Sequence, residues 1–138
     1  MQFKRDLQRQ PSALLRHIVS TPFIYAVFFP LVLLDLFVEI YHRICFPLYH
    51  LPYIRRSNYL VFDRAKLPYL NWLEKINCTY CSYAGGFLRY AAAIAEASEQ
   101  YWCGIAHQRH PEMYQSPHEK MYLPYGDEPA YRKFIEKK

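Results

Sequence analysis

The chain divides by hydropathy before it divides by anything else. From Ile18 to Tyr41 apolar positions are nearly continuous, centred on Phe23-Ile24-Tyr25-Ala26-Val27-Phe28-Phe29-Pro30-Leu31-Val32-Leu33-Leu34, while charged and polar residues crowd both flanks. Crossing the hydrocarbon core of a bilayer takes about 20 apolar residues. Ile18 to Val38 supplies that length at about 1.5 Å of rise per residue, provided Asp35 lies near the far interface. Pro30 removes a backbone donor and predicts a kink, which membrane helices tolerate. A sharper bend there predicts the competing geometry, a monotopic hairpin with both flanks in one compartment.

Downstream the apolar pattern is weaker but periodic. Pro47 and Pro52 are expected to end the apolar helix, and Tyr59-Leu60-Val61-Phe62-Asp63 predicts a short strand or extended crossing. Pro68 suits a first helical position, and Leu70, Leu73 and Ile76 recur at helical spacing beside Trp72, which predicts a short helix leading to Cys78. Gly85-Gly86 marks a break. After it, Phe87, Tyr90, Ala91, Ile94, Ser98 and Tyr101 share one helical face from which Arg89, Glu96 and Glu99 stay off. Prolines 111, 117, 124 and 129 preclude long helices in the tail, leaving an extended wrap with a terminal helix over Pro129 to Lys137. The fold class that follows is mainly α. Its parts are a basic amphipathic arm (1–17), a membrane segment (18–46), a linker (47–67), a small helical Cys/His domain (68–110) and an extended Pro/Tyr-rich tail (111–138).

Composition sharpens the membrane reading. Aromatic residues make up 18% of the 138, which suits side chains with one end in apolar surroundings and the other in water. The net charge of +5 predicts an acidic contact. Lys4, Arg5, Arg9 and Arg16 precede the apolar segment, and Arg43, Arg55, Arg56, Arg64 and Lys66 follow it. Basic residues in those places point to anionic membrane lipid, and they form no compact basic face with interleaved aromatics for nucleic acid. Because the two flanks are so alike, the positive-inside rule does not orient the segment, and the symmetry favours the hairpin. No small-residue cleavage site follows the apolar run, so the segment is expected to stay attached.

Candidate chemistry sits in two places. Cys78-Thr79-Tyr80-Cys81 followed by Cys103-Gly104-Ile105-Ala106-His107 offers three thiolates and an imidazole, the ligand set of a closed zinc site, with an iron–sulfur cluster as the alternative occupant. A condition attaches to it. One unbroken helix over Phe87 to Trp102 would set the first pair and Cys103 roughly 24 Å apart, so the chain must double back or the first pair must lean along the helix. Otherwise the sulfurs share no ion, and Cys78 and Cys81 are a free or reversibly oxidised dithiol, or simply structural. Unpaired thiols of this kind favour a reducing, cytoplasmic side for the Cys/His domain. Cys45 reads as a small buried hydrophobe, and His107, His110 and His118 as solvated in preference to forming a second metal site.

The second place is the end of the apolar helix. Asp35, Glu39 and His42, spaced four and three apart, share one face. Ionisable groups so close to a bilayer are expected to have a partner, and this face, with Arg55 and Arg56 at headgroup level, is read as a contact to lipid or to another membrane subunit. Glu39-Ile40-Tyr41-His42 also spells the helical Glu-x-x-His element of carboxylate-bridged di-iron sites, but the chain supplies neither a second such element nor the further carboxylates.

The run from Tyr69-Leu70-Asn71-Trp72 through Cys78-Thr79-Tyr80-Cys81-Ser82-Tyr83-Ala84-Gly85-Gly86, closing with Glu99-Gln100-Tyr101-Trp102-Cys103-Gly104-Ile105-Ala106-His107, resembles a group of small bacterial membrane-anchored proteins. The resemblance covers about a third of the chain. It implies a bacterial inner-membrane setting, and no activity or residue role comes with it. No Gly-rich phosphate loop, serine-nucleophile elbow or His-Glu-x-x-His element is present, which disfavours a hydrolase or nucleotide-dependent enzyme. Two readings follow, with no catalytic residue assigned in the first. One is a non-catalytic, membrane-anchored accessory or assembly subunit of a larger integral membrane complex, rigidified by a zinc knot at Cys78, Cys81, Cys103 and His107. The other is a membrane-bound redox or metal-handling protein using the Cys78/Cys81 dithiol or an iron–sulfur or di-iron centre.

Overall fold

The computed structural model describes residues 12–113 and 116–136. Most of the basic arm expected over 1–17 lies outside them, and from Ser12 onward the chain is already helical. The apolar run forms two consecutive helices, α1 (Ser12–Ala26) and α2 (Phe28–Leu48). Only Val27 separates them. The break falls where Pro30 requires it, since its ring lacks the N–H that would bond to Ala26 and collides with that carbonyl. Leu31 N still donates to Val27 O at 3.2 Å, so the chain continues through a kink and does not reverse into a hairpin. Together they form a helix over Leu14–Leu48 that is long and apolar enough to cross a membrane.

α2 runs past Pro47, at which its end was expected, and closes with paired carbonyl bonds. Leu51 N donates to Phe46 O at 2.9 Å and His50 N to Pro47 O at 3.2 Å, the pattern of a Schellman cap. His50 takes the left-handed conformation (φ 54°) that this cap demands, a place usually given to glycine or asparagine. The following segment is irregular, with 3-10 turns at Arg56–Asn58 and Arg64–Lys66. Of the short strand or extended crossing expected at Tyr59 to Asp63, the strand is absent, and Tyr59 and Leu60 cross close to Gly86. A strand needs a neighbour, and the one β-bridge among the described residues is elsewhere, between Ile105 and Leu123.

α3 (Trp72–Trp102) corrects two expectations. It begins after Asn71, not at Pro68, because Asn71 and Glu74 form a reciprocal box: Glu74 N donates to Asn71 Oδ1 at 2.8 Å and Asn71 N to Glu74 Oε2 at 3.0 Å. It also runs straight through Gly85-Gly86. The need for glycine at 86 is steric, since a Cβ there would stand 2.6 Å from Tyr59 O and 3.2 Å from Leu60 Cα. Gly86 therefore admits the 59–60 segment to the helix surface, and the pair does not end the helix.

The chain forms two compact units whose boundary falls inside α3: Met1–Leu88 and Arg89–Lys138. In the first, Leu31, Phe46 and Phe87 are buried, together with two polar residues, Asp35 and His42. In the second, Tyr90, Ile94 and Tyr122 are buried. Ala106 N donates to Leu123 O and Leu123 N to Gly104 O, which fastens the tail beside the residues after α3. A 3-10 turn (Pro117–Met121) and a terminal helix, α4 (Glu128–Glu136), complete it. α4 matches the expected terminal helix, with Asp127 Oδ1 capping Ala130 N at 2.9 Å.

The Tyr122 hydroxyl has no hydrogen-bond partner among the described residues. Burial foremost, then the carboxylates of Glu99, Glu119 and Glu96, push its phenol up to about 12. The unfolded chain loses this proton near pH 10, while the folded chain keeps it until about pH 12. Stability from this group is therefore complete below about pH 10 and is lost as pH rises towards 12. Tyr122→Phe, which removes an unpaired buried hydroxyl, is expected to leave thermal stability at pH 8 unchanged or raised by up to about 1 kcal/mol. Its alkaline decline should be shallower than that of the parent; a variant markedly less stable at pH 8 would show that the hydroxyl is bonded.

Candidate functional site

The polar face foreseen on the apolar helix exists, and the chain covers it with its own residues. Asp35 and His42 are buried at 9% and 0% exposure. Arg56, 21 residues beyond Asp35, grips that carboxylate with both terminal nitrogens, the bidentate geometry that makes arginine–carboxylate pairs strong. The Tyr83 hydroxyl of α3 donates to Asp35 Oδ2 at 2.8 Å. Glu39 extends the network, accepting from Arg43 Nε at 2.7 Å and lying 3.6 Å from Arg56 Nη1. Three elements thus converge on one carboxylate, and every strong charge in the cluster has an opposite neighbour.

His42 is held differently. Its Nε2 accepts from the Ile54 backbone N at 3.2 Å. The ring stacks on Tyr53 at 4.3 Å and meets the edge of Phe46 at 4.4 Å. It serves as a neutral acceptor for a loop amide that would otherwise be unpaired. Glu39 and His42, the Glu-x-x-His pair, are therefore already committed to Arg43, Arg56 and the Ile54 amide. The face that was expected to dock on another subunit is, at Asp35 and His42, interior; Arg55 is exposed.

Outside the apolar helix, the hydrogen bonds that Arg56 donates to Asp35 hold its guanidinium above its already high ordinary value. Burial, with the bond to Asp35, pushes the Tyr83 phenol up to about 12. Both shifts keep the groups in the states that the network needs, a cationic arginine and a protonated tyrosine.

The zinc knot expected from Cys78, Cys81, Cys103 and His107 is not assembled. Cys78 and Cys81 lie within α3, whereas Cys103 follows its last residue. The doubling back that the site required before Cys103 is absent, since α3 is helical from Trp72 to Trp102. All four cysteines are free thiols, with Cys45 and Cys78 half-buried and Cys81 and Cys103 exposed. Among the described residues no three His, Cys, Asp or Glu side chains are gathered to hold a metal ion. His107 faces Glu99 at 3.9 Å.

One polar cluster was not foreseen. His118, expected to be solvated, is only 14% exposed at its side chain, with Nδ1 3.4 Å from Glu96 Oε2 and Nε2 3.5 Å from Glu99 Oε2. Ser116 Oγ donates to Glu96 Oε1 at 2.7 Å. Glu96 and Glu99, three apart on α3, were visible as a polar edge, but nothing in the sequence indicated which tail residue would meet them.

No protein-family model, curated protein or solved structure matches the chain. The site must therefore be read from its own geometry, an exposed apolar helix whose polar residues are satisfied internally.

Proposed function

We propose that this chain is a non-catalytic, membrane-anchored accessory subunit of a larger integral membrane assembly. The reading rests on one observation. Over Leu14–Leu48 only 11% of the most apolar window is buried, and Phe29 and Phe23 stand 76% and 72% exposed. Contiguous apolar surface on this scale marks a membrane or protein interface, since soluble monomers rarely leave so much of it in water. The polar clamp fits the same reading, because it pairs the ionisable residues of the apolar helix within the chain. With the Cys/His set dispersed, the proposal needs no bound metal.

The test is fractionation of the full chain. It is expected to float with anionic vesicles, to resist carbonate and high-salt extraction, and to leave a gentle detergent with a stoichiometric integral-membrane partner. A chain that is washed from membranes, or that is monodisperse and alone in every mild detergent tried, defeats the reading.

A further inference from the structure

Beside the kink lies a cavity of about 430 Å³ that shares only Tyr83 with the polar clamp. This is within the range of roughly 300–1,000 Å³ found for small-molecule clefts. One side is Tyr25 and Phe28, which flank Val27. The other is a stripe of α3, running from Lys75 through Ile76, Thr79 and Tyr80 to Tyr83. Lys75 and Tyr83 are eight residues apart, so the stripe is about 12 Å long.

The walls present ring faces, because their hydroxyls are engaged elsewhere. Tyr25 OH donates to Asn77 Oδ1, Tyr80 OH to the Ile24 carbonyl at 2.7 Å and Tyr83 OH to Asp35 at 2.8 Å. Tyr80 packs on Tyr25 at 5.3 Å and on Phe28 at 6.3 Å, which fixes the rings as a lining. At the end of this apolar trough stands Lys75, half-buried and with no ion-pair partner among the described residues. A trough of this kind, continuous with the exposed apolar surface of α1 and α2, suits an acyl chain with an anion above it.

We propose that the trough binds one anionic phospholipid, an acyl chain lying against Phe28, Ile76 and Tyr80 and the phosphate held by the Lys75 ammonium. The site rests on the membrane reading above and adds a specific lipid to it. Lys75 supplies a charge-assisted hydrogen bond to the phosphate oxygens, and its methylene stem runs over the trough. Thr79, exposed in the middle of the stripe, leaves the floor low enough for a chain to lie across it. A bulky side chain at that position would fill the trough.

The experiment uses the full chain in nanodiscs of phosphatidylcholine with a minor share of phosphatidylglycerol, released for native mass spectrometry. The parent is expected to carry one phosphatidylglycerol in preference to phosphatidylcholine. Lys75→Gln should lower retention about tenfold, the size expected for one charge-assisted hydrogen bond. Thr79→Phe should abolish retention, while both variants keep the parent's helical circular dichroism and still float with vesicles. A chain that floats but leaves the disc bare, or that holds both lipids equally, overturns the site alone; so does equal retention by the parent and both variants. Failure to float overturns the membrane reading and the site with it.

Discussion

Arg56→Ala is expected to destabilise the first unit by about 3 kcal/mol, because it leaves the buried Asp35 carboxylate without its cation. The arginine side chain is itself 33% exposed, which places the cost at the lower end of the range for a broken buried pair. Asp35→Ala leaves the charge on the more accessible partner and should cost less. The double variant should recover part of the loss, since an empty pair is less unfavourable than a half-empty one. Thermal unfolding of the four chains in one detergent gives the cycle. Additive losses would mean that Arg56 and Asp35 act independently and that the clamp contributes nothing as a unit.

The second large effect is steric. Alanine in a helix is favoured over glycine by about 1 kcal/mol, so propensity alone would make Gly86→Ala stabilising. Geometry reverses that sign. The new Cβ would stand 2.6 Å from the Tyr59 carbonyl oxygen, a backbone atom that cannot rotate away. Overpacking of this kind costs about 1–3 kcal/mol, and Gly86→Leu should exceed it by forcing the 59–60 segment off the helix. Trypsin reads the outcome, because Arg55, Arg56, Arg64 and Lys66 flank that segment. Faster cleavage there in both variants is the expected result, and a Gly86→Ala chain more stable than the parent would remove the close approach from the account.

Local signals in the sequence carried further than distant ones. The length and kink of the apolar helix, the shared face of Asp35, Glu39 and His42, and the terminal helix at Pro129 all follow from spacing within a few residues. Asn71 and Glu74 were equally local, three apart in the pattern of a capping box, yet Pro68 drew the helix start towards itself. Gly85-Gly86 was misread because two glycines predict a break unless one knows that another backbone crosses there. The partners of Asp35 lie 21 and 48 residues away, and no periodicity encodes such a meeting. The cysteine spacing misled for a related reason. Ligand motifs describe donors without the element that carries them, and Cys78 and Cys81 are carried by a helix that does not turn back before Cys103.

The clamp also bears on how the chain is made. While residues up to about 55 have been synthesised, the apolar helix already contains Asp35 and Glu39, but neither Arg56 nor Tyr83 yet exists. Glu39 already has Arg43 beside it, but the Asp35 carboxylate is paired only in the finished chain. Hydropathy alone describes the helix as uniformly apolar, whereas the charge within it is matched only after the downstream loop and α3 have emerged. The electrostatic balance of this helix is accordingly completed late in synthesis, by residues outside the helix itself.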